Sequence, residues 1–180
     1  METRNFVKNY RIKKTCSLNV FFGYFDNRAP VILKYYIMNI KLIDERSGNM
    51  IEYALRTTKA DDMINITNVV ENEVKKSRVA DGVVIVFIPH TTAGVTINEN
   101  TDPDVVDDML LGLRNTFPDR TAYKHMEGNS HAHIKASIMG SSCNVIIKNG
   151  ELVLGTWQGI YFCEFDGPRN RKIYIKVMKD

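Results

Sequence analysis

The sequence predicts an α+β domain whose largely antiparallel sheet is covered by helices, and three observations carry that prediction. Several segments alternate apolar and polar residues with the period of two that belongs to strands, while two others show the 3.6-residue period of amphipathic helices. Between two apolar runs stands Asn149-Gly150, the strongest short-range hairpin signal. About seven strands, several in hairpins, and two helices make one domain of that class.

The elements follow in order. In "MIEYALRTT", Ile51, Tyr53 and Leu55 alternate as on a half-buried strand. In "KADDMINITNVVENEVKKS", Met63, Ile66, Val70 and Val74 lie on one helical stripe, with Asp61 and Asp62 expected in the first turn and Lys75 and Lys76 in the last, signs that suit the helix dipole. The β-branched run Val83 to Ile88 reads as a buried strand ended by Pro89, and a second strand runs through Val95 to Ile97. A second helix opens at Asp102-Pro103, an acidic N-cap followed by proline at the first helical position. It turns Val106, Met109, Leu110, Leu113 and Phe117 inward and stops at Pro118. "HIKASIMG" alternates and reads as a strand, "NVIIKNGELVLG" as a hairpin, and "GIYFCEF" and "KIYIKVM" as strands flanking a turn at Asp166-Gly167-Pro168.

The chain has 180 residues, 44% of them apolar and 25% charged, the composition of a globular domain with a real core. Its formal charge of +3 is unevenly placed: residues 1 to 49 hold nine Lys/Arg against four Asp/Glu, whereas residues 50 to 180 hold fifteen against seventeen. The regular domain therefore lacks the basic footprint of a nucleic-acid binder. No apolar run has the length of a membrane span, and the N-terminal apolar stretch is interrupted by Asn19 with no small-residue cleavage site after it. Cys16, Cys143 and Cys163 are odd in number and lack C-x-x-C spacing, so a reducing cytoplasm is expected. Residues 1 to 49 show neither period and read as an extension to a 50 to 180 domain. Glu45-Arg46-Ser47-Gly48 can be encoded by a purine-rich, ribosome-binding sequence, which makes Met50 a candidate start.

The chemistry gathers in the middle. In "FIPHTTAGVTINENTD", His90, Thr91, Thr92, Asn98, Glu99 and Asn100 put polar groups at the end of a buried strand. All four histidines, His90, His125, His131 and His133, fall in one stretch of chain. Three neutral imidazoles with an open fourth position make a catalytic zinc site in unrelated folds, but loop histidines are also ordinary surface residues. An extended His131-Ala132-His133 places two imidazoles on one side. Glu99 and Glu127 are the nearest carboxylates in sequence, each a candidate ligand, partner to an imidazole, or general base. Trp157 and Gln158 in "GTWQG" could stack on a flat ligand or anchor the core. Arg169 and Arg171 in "DGPRNR" offer forked guanidinium groups to phosphate or carboxylate. No GxxxxGK[ST] or GxGxxG loop occurs.

Taken in order, "PHTTAGVTINENTDPDV", "HMEGNSHAHIKASIMGSS" and "GELVLGTWQGIYFCEFDGPRNR" resemble the YjbQ family, the secondary thiamine-phosphate synthase family, from about Ile51 to Val177. The resemblance implies a small α+β domain, a homotrimer, and a metal ion on His90, His125 and His133, with His131 outside the set. It implies a thiamine-phosphate synthase-like transferase that joins a hydroxymethylpyrimidine diphosphate to a thiazole phosphate. On that reading Glu99, Asn98 and Lys135 are catalytic, and Thr91, Thr92, Asn100, Trp157, Gln158, Arg169 and Arg171 hold a small phosphorylated heteroaromatic substrate. The imidazoles suit zinc, whereas diphosphate chemistry suits magnesium. A metal-dependent hydrolase with Glu99 as base, or a trimeric scaffold with structural metal, are the alternatives. Neither nucleic acid nor membrane is expected as a partner.

Overall fold

The computed structural model describes residues 50–180. In chain order these are β1 (Met50–Arg56), β2 (Asp62–Asn65), α1 (Thr67–Ser77), β3 (Gly82–Phe87), β4 (Ala93–Glu99), α2 (Pro103–Thr116), α3 (Ser130–Met139), β5 (Ser142–Lys148), β6 (Glu151–Leu152), β7 (Gln158–Glu164) and β8 (Asn170–Lys179). The expectations for residues 1 to 49 lie outside the described residues. Five strands form one sheet in the order β1-β8-β3-β5-β6, and three form another, β2-β7-β4. Every pairing is antiparallel.

Two cores follow from the alternation of β7, the one strand in which nearly every residue is buried. Ile160 and Phe162 point to a core shared with α1 and the five-stranded sheet, among Val70, Val74, Val84, Val86, Ile173 and Ile175. Tyr161 and Cys163 point the other way, to a smaller core of Met63, Leu110, Ala132, Ala136 and Phe165 beneath α2 and α3. The apolar "GIYFCEF" is thus a strand covered on both faces, which explains its lack of polar alternation.

The hairpin signal and the second N-cap behave as the sequence indicates. Asn149 and Gly150 both have positive φ, the geometry a two-residue I′ turn demands, and Ile147 faces Leu152 across it. The Asp102 carboxylate accepts the Asp104 N–H at 2.9 Å, with Pro103 opening α2.

Three expectations change. The first helix starts at Thr67, because Asp62–Asn65 pairs with β7 instead, sending Met63 to the smaller core. Asp61 and Asp62 therefore lie outside its first turn. "HIKASIM" is part of helix α3, where Ala132 and Ala136 at i and i+4 are the buried face; the alternation of Ile134, Ala136 and Ile138 over so short a segment fits strand and helix alike. The helix lies on β4 at Gly94, where an added Cβ would stand 2.7 Å from the Gly140 carbonyl oxygen and 3.1 Å from Met139 Cβ. Finally, the described residues form three helices where two were expected, and the turn between β7 and β8 carries the chain from one sheet to the other.

Candidate functional site

One end of β7 is fixed by a buried ion pair. Glu164 is fully buried, and its carboxylate accepts from Arg171 Nε at 2.7 Å, Thr57 Oγ1 at 2.9 Å, and the backbone N–H groups of Phe165 and Asp166 at 3.0 and 2.9 Å. Arg171 Nη2 also donates to Glu164 Oε1 and to Thr92 Oγ1, the latter at 3.0 Å. Burial raises the Glu164 pKa, but the bonds from Arg171, the backbone and Thr57 outweigh it and hold the carboxyl below its usual range. Arg171 and Thr92, expected to hold substrate, are committed to this frame. Thr91, next in sequence to Thr92, is exposed.

His90 follows Pro89 at the end of β3 and its Nε2 accepts the Lys172 backbone N–H at 2.8 Å, so the neutral ring carries its proton on Nδ1. Burial, then the Arg171 charge, pushes this imidazole below its ordinary value. His125 and His133 do meet, edge to face, with ring centroids 5.3 Å apart. Glu127 Oε2 lies 3.9 Å from His125 Nε2. Nearby, Asn129 Nδ2 donates to Asp166 at 3.0 Å, and Asp166 is gripped by both Nε and Nη2 of Arg169. Among the described residues no three His, Cys, Asp or Glu side chains are placed to hold a metal ion. The expected convergence of His90, His125 and His133 on one ion is therefore not found.

Asn98, Glu99, Asn100, Trp157 and Gln158 gather elsewhere. Glu99 pairs with Gln158 and Ala93 with Glu164, so this cluster stands at the opposite end of β4 and β7, six residues or about 20 Å along the strand from the Glu164 end. Within one chain Glu99 cannot reach a water at His90. Its carbonyl accepts the Tyr161 hydroxyl at 3.0 Å, Asn98 Nδ2 lies 3.0 Å from Met109 Sδ, and Gln158 Oε1 caps the Gly155 N–H at 2.8 Å. Asn100 packs over Gly159, where an added Cβ would stand 2.8 Å from its Nδ2. Trp157 is 63% exposed, so it is no core anchor.

The most chemically loaded place is a cleft of about 320 Å³ lined by Asp61, Arg114, His131, Lys135 and Phe165, with Phe117 on its wall. Lys135 is only 3% exposed. Its Nζ lies 3.9 Å from Asp61 Oδ2, too long for a hydrogen bond, and Asp61 is already engaged by Arg114 at 3.0 Å. Among the described residues the amine has no hydrogen-bond acceptor, and the Phe165 ring centroid lies 6.0 Å away. Burial lowers the Lys135 pKa, Asp61 opposes that, and the Arg114 charge lowers it further. His131 Nδ1 is buried and unbonded among the described residues, with Asp119 at 3.8 Å.

Of the expected catalytic residues, Lys135 is thus the one in a cleft. Sequence reasoning missed Asp61, Arg114 and His131. His131 and Lys135, at i and i+4, share a face on strand or helix alike, and only the helix Ser130–Met139 turns that face to Asp61 and Arg114. A second cleft, between α1 and the β5–β6 hairpin, has Lys75 already facing Glu71 at 3.9 Å.

A two-sheet antiparallel α+β domain, with a lysine cleft lined from α2 and α3, defines a class of small domains. Within that class the chain belongs to the YjbQ-like UPF0047 family, whose model matches residues 51–180. It is 54% identical over 125 residues to the UPF0047 protein YugU of Bacillus subtilis, covering 69% of this chain and 95% of that one. A UPF0047 protein of Methanocaldococcus jannaschii is 46% identical over 131 residues, covering 73% and 95%. A crystal structure of an uncharacterized conserved protein of the YjbQ/UPF0047 family from Clostridium acetobutylicum has a TM-score of 0.70 and 62% identity, covering 71% of this chain and 99% of that one. A YbjQ-like protein of unknown function from Sulfolobus solfataricus has a TM-score of 0.70 at 30% identity, covering 73% and 97%.

These findings overturn the expected thiamine-phosphate synthase and zinc transferase. The relatives are described as UPF0047 proteins or as proteins of unknown function, and among the described residues no three candidate ligands are placed to hold an ion. The hydrolase alternative needed the same ion and loses that support with it.

Proposed function

We propose that this chain binds a small phosphorylated molecule in the Lys135 cleft. The observation that carries the proposal is the Lys135 ammonium: buried, facing the cleft, with three N–H donors and no acceptor among the described residues. Those donors open on the cleft, where a ligand oxygen can accept from them in place of solvent. Arg114 and His131 line the same cleft, so several donors can share one phosphate, whose oxygens accept from different directions. Phe117 and Phe165 supply apolar walls that suit a flat ring, and the volume is that of a small-molecule site.

Calorimetric titration with inorganic phosphate and with pyridoxine 5′-phosphate tests this reading. Binding of both, weakened tenfold or more by Lys135→Met, supports it; equal affinity in the variant refutes it.

The outer face of the five-stranded sheet favours self-association, with a homotrimer as the proposed assembly. Met50, Phe87, Ile146 and Met178 are exposed large apolar residues on that face, with Phe87 stacked on Tyr174. Lys172 and Glu52 beside them pair at 2.9 Å, leaving little like-charge repulsion between copies. No helix among the described residues is long and apolar enough to cross a membrane. Cys143 and Cys163 are free thiols pushed up by burial to about 11 and about 12, which suits the reducing cytoplasm we propose as its location.

A further inference from the structure

We propose that Lys135 Nζ forms a reversible imine with the aldehyde or ketone group of a phosphorylated substrate held in this cleft. The inference rests on the phosphate-binding reading and adds the reacting group. Lysine becomes a nucleophile where it is desolvated and set beside another cation. Lys135 meets both conditions, since its side chain is buried against Phe165 and Arg114 lines the same cleft. An ammonium kept only as a structural charge is normally locked by carboxylate hydrogen bonds. Here the one nearby carboxylate, Asp61, stands 3.9 Å off and is bonded to Arg114.

The carbonyl carbon approaches Nζ from the open cleft, and Asp61, 3.9 Å away, relays protons through one bridging water. In the first step the ammonium passes a proton to Asp61 and its lone pair attacks the carbonyl carbon. The carbonyl oxygen takes up the second nitrogen proton, giving a carbinolamine. The carbinolamine hydroxyl then leaves as water with the proton returned from Asp61. One ammonium and one carbonyl give one iminium and one water, and the iminium faces the restored Asp61 carboxylate. No oxidant or further reactant is needed. Arg114 and His131 hold the phosphate, so the carbonyl is presented to Nζ and not to an exposed lysine.

Pyridoxal 5′-phosphate, an aldehyde bearing a phosphate, is the probe. The protein is incubated with increasing concentrations, reduced with borohydride, and peptide-mapped. The expected result is an adduct on the Lys135 peptide at tenfold lower aldehyde concentration than on the exposed Lys59, Lys75 or Lys172. Pyridoxal without the phosphate should label Lys135 at least tenfold less, and Lys135→Arg should lose the selective adduct while keeping its circular dichroism. Labelling spread over the exposed lysines with Lys135 unmodified, while inorganic phosphate still binds, overturns the imine and spares phosphate binding. Equal labelling of Lys135 by both aldehydes, with no competition from inorganic phosphate, instead overturns the phosphate reading.

Discussion

Replacing Arg171 by methionine removes one side of the buried pair that fixes the end of β7. Glu164 would lose both of its Arg171 bonds, and Thr92 would lose its donor, in a place without solvent. Breaking a buried ion pair by deleting one partner costs about 3 to 5 kcal/mol, because a charge is left without compensation. Three donors to Glu164 survive, from Thr57 and two backbone N–H groups, which puts the expected cost near the lower end, about 3 kcal/mol. That corresponds to a melting temperature lower by about 10 °C for a domain of this size. Urea unfolding measures it directly. The pH dependence has a definite sign. In the native protein the Glu164 pKa is depressed, so its contribution to stability is present above the unfolded value, about 4.3, and is lost as pH falls through the lower folded value. In the variant the part of the depression due to Arg171 is gone, so the deficit is largest near neutrality and shrinks toward pH 4. Glu164→Gln combined with Arg171→Met should recover part of the loss. A deficit under 1 kcal/mol, or one independent of pH, would show that the pair does not fix this end of the sheet.

Other outcomes follow from single contacts. Asp102→Ala should cost about 1 kcal/mol in urea unfolding through loss of the bond to the Asp104 N–H, with phosphate binding unchanged. Gly94→Ala should cost about 1 to 3 kcal/mol by overpacking against Gly140 and Met139, and should weaken phosphate binding because α3 carries Lys135. Ile146→Glu, on the exposed sheet face, should lower the sedimenting mass to that of one chain without changing the circular dichroism.

What the sequence made legible was set by local chemistry. The Asn149-Gly150 turn and the Asp102-Pro103 helix start depend on residues within a few positions, and both have the geometry those residues demand. "HIKASIM" was misread because a short apolar segment fits periods of two and 3.6 alike, and tertiary packing on Gly94 decided for helix. That one misreading also hid the site, since on a strand His131 and Lys135 point to a different set of neighbours. Asp61 and Arg114 are separated by 53 positions, and only the fold shows that they meet. The resemblance named the family correctly. The expected pairing of Glu99 with His90 does not form within one chain because β4 carries Glu99 far from His90, a distance no motif records.

The central claim is that Lys135 is an open anion anchor. Protein carrying ¹³Cε-labelled lysine, titrated with inorganic phosphate and followed by NMR, tests it most directly. Lys135, assigned through Lys135→Arg, should shift saturably with phosphate while Lys59 and Lys75 respond weakly and in proportion to ionic strength. A Lys135 signal that stays still, or that moves no more than those of the exposed lysines, would contradict the account.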